Sequence, residues 1–72
     1  MSDILSVRQL EVLRLAATGK TGDEIAEILG ISASTVKVHR EAATRSLDAC
    51  NVTHAVAKAL SVGLLVRQEI IP

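Results

Sequence analysis

Residues 31–47, I-S-A-S-T-V-K-V-H-R-E-A-A-T-R-S-L, decide how this chain folds. They read as one helix with a buried seam and a polar, partly basic face. Ser32 stands where a hydroxyl can accept from the free N–H groups of the first turn, so it is the expected cap. Val36, Ala43 and Leu47 recur at helical spacing and belong to a core. Lys37, Val38, Glu41 and Arg45 fall on the other side.

Upstream, Thr21 and Glu24 make a capping box for a preceding helix. Asp23 and Glu24 sit in its first turn, where the helix dipole favours negative charge. Ile25, Ala26 and Leu29 form its apolar stripe, and Gly30 ends it. Only Gly30, Ile31 and Ser32 separate this helix from the next. So short a connection turns two helices through a sharp corner, with the small Ala26 where they pack. That is a helix-turn-helix, whose second helix enters the DNA major groove.

Further out, Ser6 and Gln9 form an S-x-x-Q capping box that opens the first helix. Leu10, Leu13 and Ala17, flanked by Val12 and Ala16, give it a wide apolar face. Gly19, which tolerates the left-handed conformation of a helix end, stops it. After the long helix, residues 48–51 are a loop holding Cys50. Asn51 or Thr53 caps a fourth helix that ends near Gly63. Ala55, Val56 and Ala59 face its core side. Ala57, Leu60 and Leu64 leave apolar surface on another side, and a helix apolar on two sides calls for a second partner. Residues 1–5 read as a lead frayed at its start, and the tail after Leu65 has no assignment.

Composition narrows the function. Seventy-two residues make one small domain with a modest core. With no Trp, Tyr or Phe, the core is built from Leu, Ile, Val and Ala, and modules that stack bases on aromatic rings are excluded. The single Cys50 permits no internal disulfide. It reads as an inert small residue or, alternatively, a redox-sensitive one. His39 and His54 are too few and scattered for zinc, so no metal or cofactor is expected. His54 falls on the surface or at an interface. No apolar run spans a membrane and no signal peptide opens the chain, so the expected location is cytoplasmic. Formal net charge is zero. The charges are segregated, however: Asp23, Glu24 and Glu27 crowd the second helix, while Lys37, Arg40 and Arg45, opposed by Glu41, make the third locally basic. No nucleophile–base set, carboxylate pair or phosphate-cradling glycine loop points to an enzyme.

The motif G-K-T-G-D-E-I-A-E-I-L-G-I-S-A-S-T-V-K-V-H at residues 19–39 closely resembles the LuxR-type helix-turn-helix, also called the GerE or NarL/FixJ output domain. The resemblance extends to L-S-V-R-Q-L-E-V-L at 5–13, N-V-T-H-A-V-A-K-A-L at 51–60 and G-L-L at 63–65. It implies an all-α, four-helix domain over residues 1–72, with helices at about 6–18, 22–29, 33–47 and 52–62. The third helix then reads the major groove and the fourth dimerises, through Val52, Ala57, Leu60 and Leu64. By the same resemblance Lys37, Val38 and Glu41 match base-reading positions, and Thr21, Gly22, Thr35 and His39 match positions that touch phosphate.

The residue types agree with these roles. Lys37 can contact guanine O6 and N7, and Val38 a thymine methyl. Arg40 and Arg45 suit backbone contacts that position without specifying. His39 is a phosphate ligand or a structural hydrogen-bonder. Glu41 either accepts from cytosine N4 or pairs with Lys37 or Arg45 and masks them.

Departures from the family pattern are also visible. Glu41 replaces a frequent Lys or Arg, and Gly22 and Asp23 replace Asn-Lys. Ala42 stands for Asn, Ser46 for Lys, Asp48 for Gly, Val52 for Arg and Gln9 for Glu. Several of these remove positive charge from the DNA side. The expected function is a sequence-specific regulator of transcription that binds double-stranded DNA as a homodimer on a roughly palindromic site. It is either a stand-alone protein or an output domain. The rival expectation is a protein-interaction module of the same fold that heterodimerises with a related regulator and inhibits it.

Overall fold

A computed structural model of the protein describes residues 5–65. It contains four helices: α1 (Val7–Ala17), α2 (Gly22–Leu29), α3 (Ala33–Ser46) and α4 (Val52–Ser61). The expected helix ends run one residue further because they include caps: Ser6, Thr18, Leu47 and Val62 stand at cap positions. Expectations on residues 1–4 and on the tail after Leu65 lie outside the described residues.

Each helix starts where its sequence says it should. The Ser6 hydroxyl accepts from the Gln9 N–H at 3.1 Å while the Gln9 side chain accepts from the Ser6 N–H at 3.1 Å. Thr21 and Glu24 make the same reciprocal pair at 3.2 and 2.8 Å. Ser32 caps α3 through the Thr35 N–H. At α4 the cap is Asn51, whose carbonyl accepts from the His54 N–H at 2.9 Å, and not Thr53. A cap of this kind contributes about 1 kcal/mol.

All four helices end alike. The amide just after a left-handed residue reaches back five residues to a helical carbonyl: Lys20 to Leu15, Ile31 to Ala26, Ala49 to Thr44 and Leu64 to Ala59. This closure places one residue in the left-handed region. Gly19 and Gly63 fill it for α1 and α4, with φ of 93° and 81°. Asp48 fills it for α3 with φ 54°, the single positive-φ non-glycine residue among those described.

α1 and α3 each pack against all three other helices, and α2 and α4 hardly meet. Two apolar clusters result. Val12, Ile25, Ala26 and Val36 join α1, α2 and the first half of α3. Leu13, Ala43, Leu47, Ala55 and Ala59 join α1, the second half of α3 and α4, closed at the two ends of the described chain by Leu5 and Leu65. Adjacent residues of α1, Val12 and Leu13, thus serve different clusters, both fully buried. Three alanines with no exposed surface (Ala43, Ala55 and Ala59) let α3 and α4 approach closely. Each large side chain buried here contributes about 1.5–3 kcal/mol. The α2–α3 corner is thereby pinned from below, and the opposite face of α3 is left to solvent.

Candidate nucleic-acid interface

The exposed face of α3 follows from its buried one. With Val36 and Ala43 pointing inward, the residues opposite them on the helical wheel point outward. Lys37, Val38, Glu41 and Arg45 are all exposed, and Val38 keeps 60% of its surface open to solvent. An exposed valine amid charged residues has no packing role here; it is free to meet an apolar group of a partner. The sequence grouped these four residues, and the structure places them on one open surface.

The flanks of that face are only half-exposed. Thr35, His39 and Arg40 are partly buried against the body of the domain. The Thr35 hydroxyl lies 2.7 Å from that of Ser32, within the α3 cap. Arg40 brings the second helix into the site: a Cβ built on Gly22 would stand 3.6 Å from the Arg40 Nη1. The guanidinium therefore lies over the first turn of α2, whose backbone N–H groups and dipole favour anions. A larger residue in place of Gly22 would have to share that space. Thr21 is exposed beside it, its hydroxyl accepting from the Glu24 N–H.

Among the described residues, Glu24 is the titratable group whose environment clearly shifts it. The Thr21 backbone N–H, then the Thr21 hydroxyl, stabilise its carboxylate and hold it below the usual range, with a smaller contribution from Lys20. Its charge thus serves the helix start and faces away from any role as an acid or base.

Toward its C-terminal end the face continues into an open groove of about 610 Å³. Arg40, Glu41, Thr44 and Arg45 form one wall, and the loop and start of α4, residues 49–52, form the other. Thr44 and Asn51 were not among the residues expected to touch DNA. Thr44 follows Arg40 by one turn, a spacing the helical wheel contains. Asn51 is brought in by the loop, which no periodicity predicts. Cys50 is an exposed free thiol whose N–H donates to His54 Nδ1 at 3.1 Å, so His54 braces the loop.

The residues expected to pair two copies lie on α4 and just past it. Val52, Leu60 and Leu64 are partly buried against this chain's own core, and Ala57 is exposed. Next to them Val62 keeps 60% of its surface open. Among the described residues no group of His, Cys, Asp and Glu is arranged to hold a metal ion, and no described helix is long and apolar enough to cross a membrane.

Residues 3–59 match the family described as bacterial regulatory proteins, luxR family. Over 61 residues the chain is 54% identical to the HTH-type quorum sensing-dependent transcriptional regulator RpaR of Rhodopseudomonas palustris, a stretch covering 85% of this chain and 25% of that protein. The transcriptional activator protein CarR of Pectobacterium carotovorum is 48% identical over 61 residues, with the same two coverages. The quorum sensing-dependent regulator VjbR of Brucella ovis is 43% identical over 70 residues, or 97% of this chain and 27% of that protein. The chain therefore spans about a quarter of the length of these curated relatives, which are transcriptional regulators and not enzymes.

Proposed function

We propose, given that this chain belongs to the luxR family of bacterial regulatory proteins, that it is a sequence-specific domain regulating transcription by binding double-stranded DNA in the cytoplasm. One observation carries the reading: an open α3 face of Lys37, Val38, Glu41 and Arg45, in a chain whose relatives are transcriptional regulators. In this reading α3 enters the major groove. Lys37, Val38 and Glu41 meet base edges. Thr21, Gly22, Thr35, His39, Arg40 and Arg45 hold phosphates on either side, with the guanidinium of Arg40 and the first turn of α2 acting together on one of them. The protein binds as a homodimer. Ala57 and the open parts of Val52, Leu60 and Leu64 form the contact, so that the two α3 helices meet half-sites of a roughly palindromic operator.

Anisotropy of a labelled duplex, titrated with protein at several salt concentrations, tests the reading. The logarithm of the affinity should fall linearly with the logarithm of salt, with a slope of about −0.9 for each phosphate neutralised. A Lys37→Ala, Arg45→Ala double variant should bind much more weakly and with a shallower slope. If the folded, dimeric protein leaves the duplex free even at low salt, the reading fails. Heterodimerisation with a related regulator through α4 then takes its place.

A further inference from the structure

Lys37, Glu41 and Arg45 succeed one another at four-residue steps along the exposed face of α3. Each step is about 6 Å along the helix axis. An acid with cations one turn before and one turn after it is the usual setting for ion pairs within a helix. None forms here. Among the described residues the ion pair is Arg8–Glu11 on α1, and Glu41 takes part in no hydrogen bond or ion pair. Glu24 shows the contrast: its carboxylate closes a capping box. Glu41 neither caps, braces nor masks; it stands open beside Val38 in the middle of the surface.

On a surface that meets the major groove, such a carboxylate is selective by exclusion. Phosphate oxygens, guanine O6 and N7, and thymine O4 are all acceptors and repel it. The groups that can donate to it are the exocyclic amines of cytosine and adenine. Adenine presents N7, another acceptor, beside its amine, whereas cytosine presents its N4 amine with no acceptor next to it on the same base. A wrong base leaves the carboxylate desolvated and unpaired, which costs more than a correct contact gains. We propose that Glu41 is a specificity-determining residue of this chain and that each half-site carries a cytosine beneath it. This rests on the reading that α3 enters the major groove. The flanking cations supply attraction that the acid cannot, and the acid supplies discrimination that they lack.

Selection from a pool of duplexes with a randomised core, run in parallel with the wild-type protein and Glu41→Gln, tests this. Wild type should enrich a cytosine at one position of each half-site. Glu41→Gln should change that position alone to adenine, because an amide both donates to N7 and accepts from N6. At that position wild type should prefer cytosine over adenine by on the order of ten-fold. Glu41 is exposed, so the variant keeps the fold, which circular dichroism confirms. If both proteins enrich the same bases at every position, or the altered position is not cytosine for wild type, the role of Glu41 is overturned while DNA binding stands. If neither protein retains any duplex at low salt, major-groove binding itself fails and the assignment of Glu41 falls with it.

Discussion

The ammonium of Lys58 reaches back from α4 to donate to the carbonyls of Leu47 and Asp48, at 3.0 and 2.7 Å. Those carbonyls lie at the end of α3, where backbone acceptors lack helical partners and the dipole is negative. One side chain thus closes α3 and ties α4 to it. Replacing it by Lys58→Met keeps the apolar stem and removes both donors. Stability should drop by about 2 kcal/mol in urea unfolding, with little change in denaturant slope. A variant as stable as wild type would show that water replaces the ammonium without cost. Glu24 makes a second prediction. Thr21 lowers its pKa in the folded protein, so its contribution is present above the ordinary carboxylate range and is lost as pH falls through the lowered value. Glu24→Gln should be less stable than wild type near neutral pH, and the difference should shrink on acidification. Parallel acid-unfolding curves for the two proteins would contradict that.

Among the elements, the end of α3 is the one at odds with its local sequence. Its closing geometry is shared with α1 and α4, which place glycine at the left-handed position, whereas α3 places Asp48 there at φ 54°. An L-residue pays a steric cost in that region, reduced for Asp but not abolished. Asp48→Gly relieves it at some expense in chain entropy. The variant should therefore be more stable by about 0.5–1 kcal/mol, read as a higher midpoint of thermal unfolding. An unchanged or lower midpoint would mean that the Asp48 side chain has a stabilising role of its own. The departure from the family pattern at this position was legible in the sequence. Its conformational meaning was not, because φ depends on the hydrogen bonds that close the helix.

At the scale of the whole molecule, the two apolar clusters divide the labour. One holds the α2–α3 corner at the angle that exposes the candidate reading face, and the other seats α4 against α3. The second cluster is closed by residues from both ends of the described chain, Leu5 and Leu65, with 7% and 1% of their surface exposed. Leu65→Ala should cost about 2–5 kcal/mol, as for other fully buried leucines. In a domain this small such a loss is a large share of the total stability. Circular dichroism of the variant across temperature measures it directly. A loss below 1 kcal/mol would mean that Leu65 is not part of the core.

Local physics was enough for much of this. Helix starts follow from Ser6, Thr21 and Ser32 because capping acts over three residues. The inward and outward faces of α3 follow from helical periodicity, so the open face of Lys37, Val38, Glu41 and Arg45 was legible from spacing alone. Contacts between residues distant in the chain were not. Lys58 on the carbonyls of Leu47 and Asp48, Arg40 over Gly22, Asn51 facing Arg45 across a groove, and Leu5 and Leu65 in one core cluster all depend on how the helices cross. A crossing is settled by the joint fit of many side chains. No single stretch encodes it, and those contacts emerge only once all four helices are packed together.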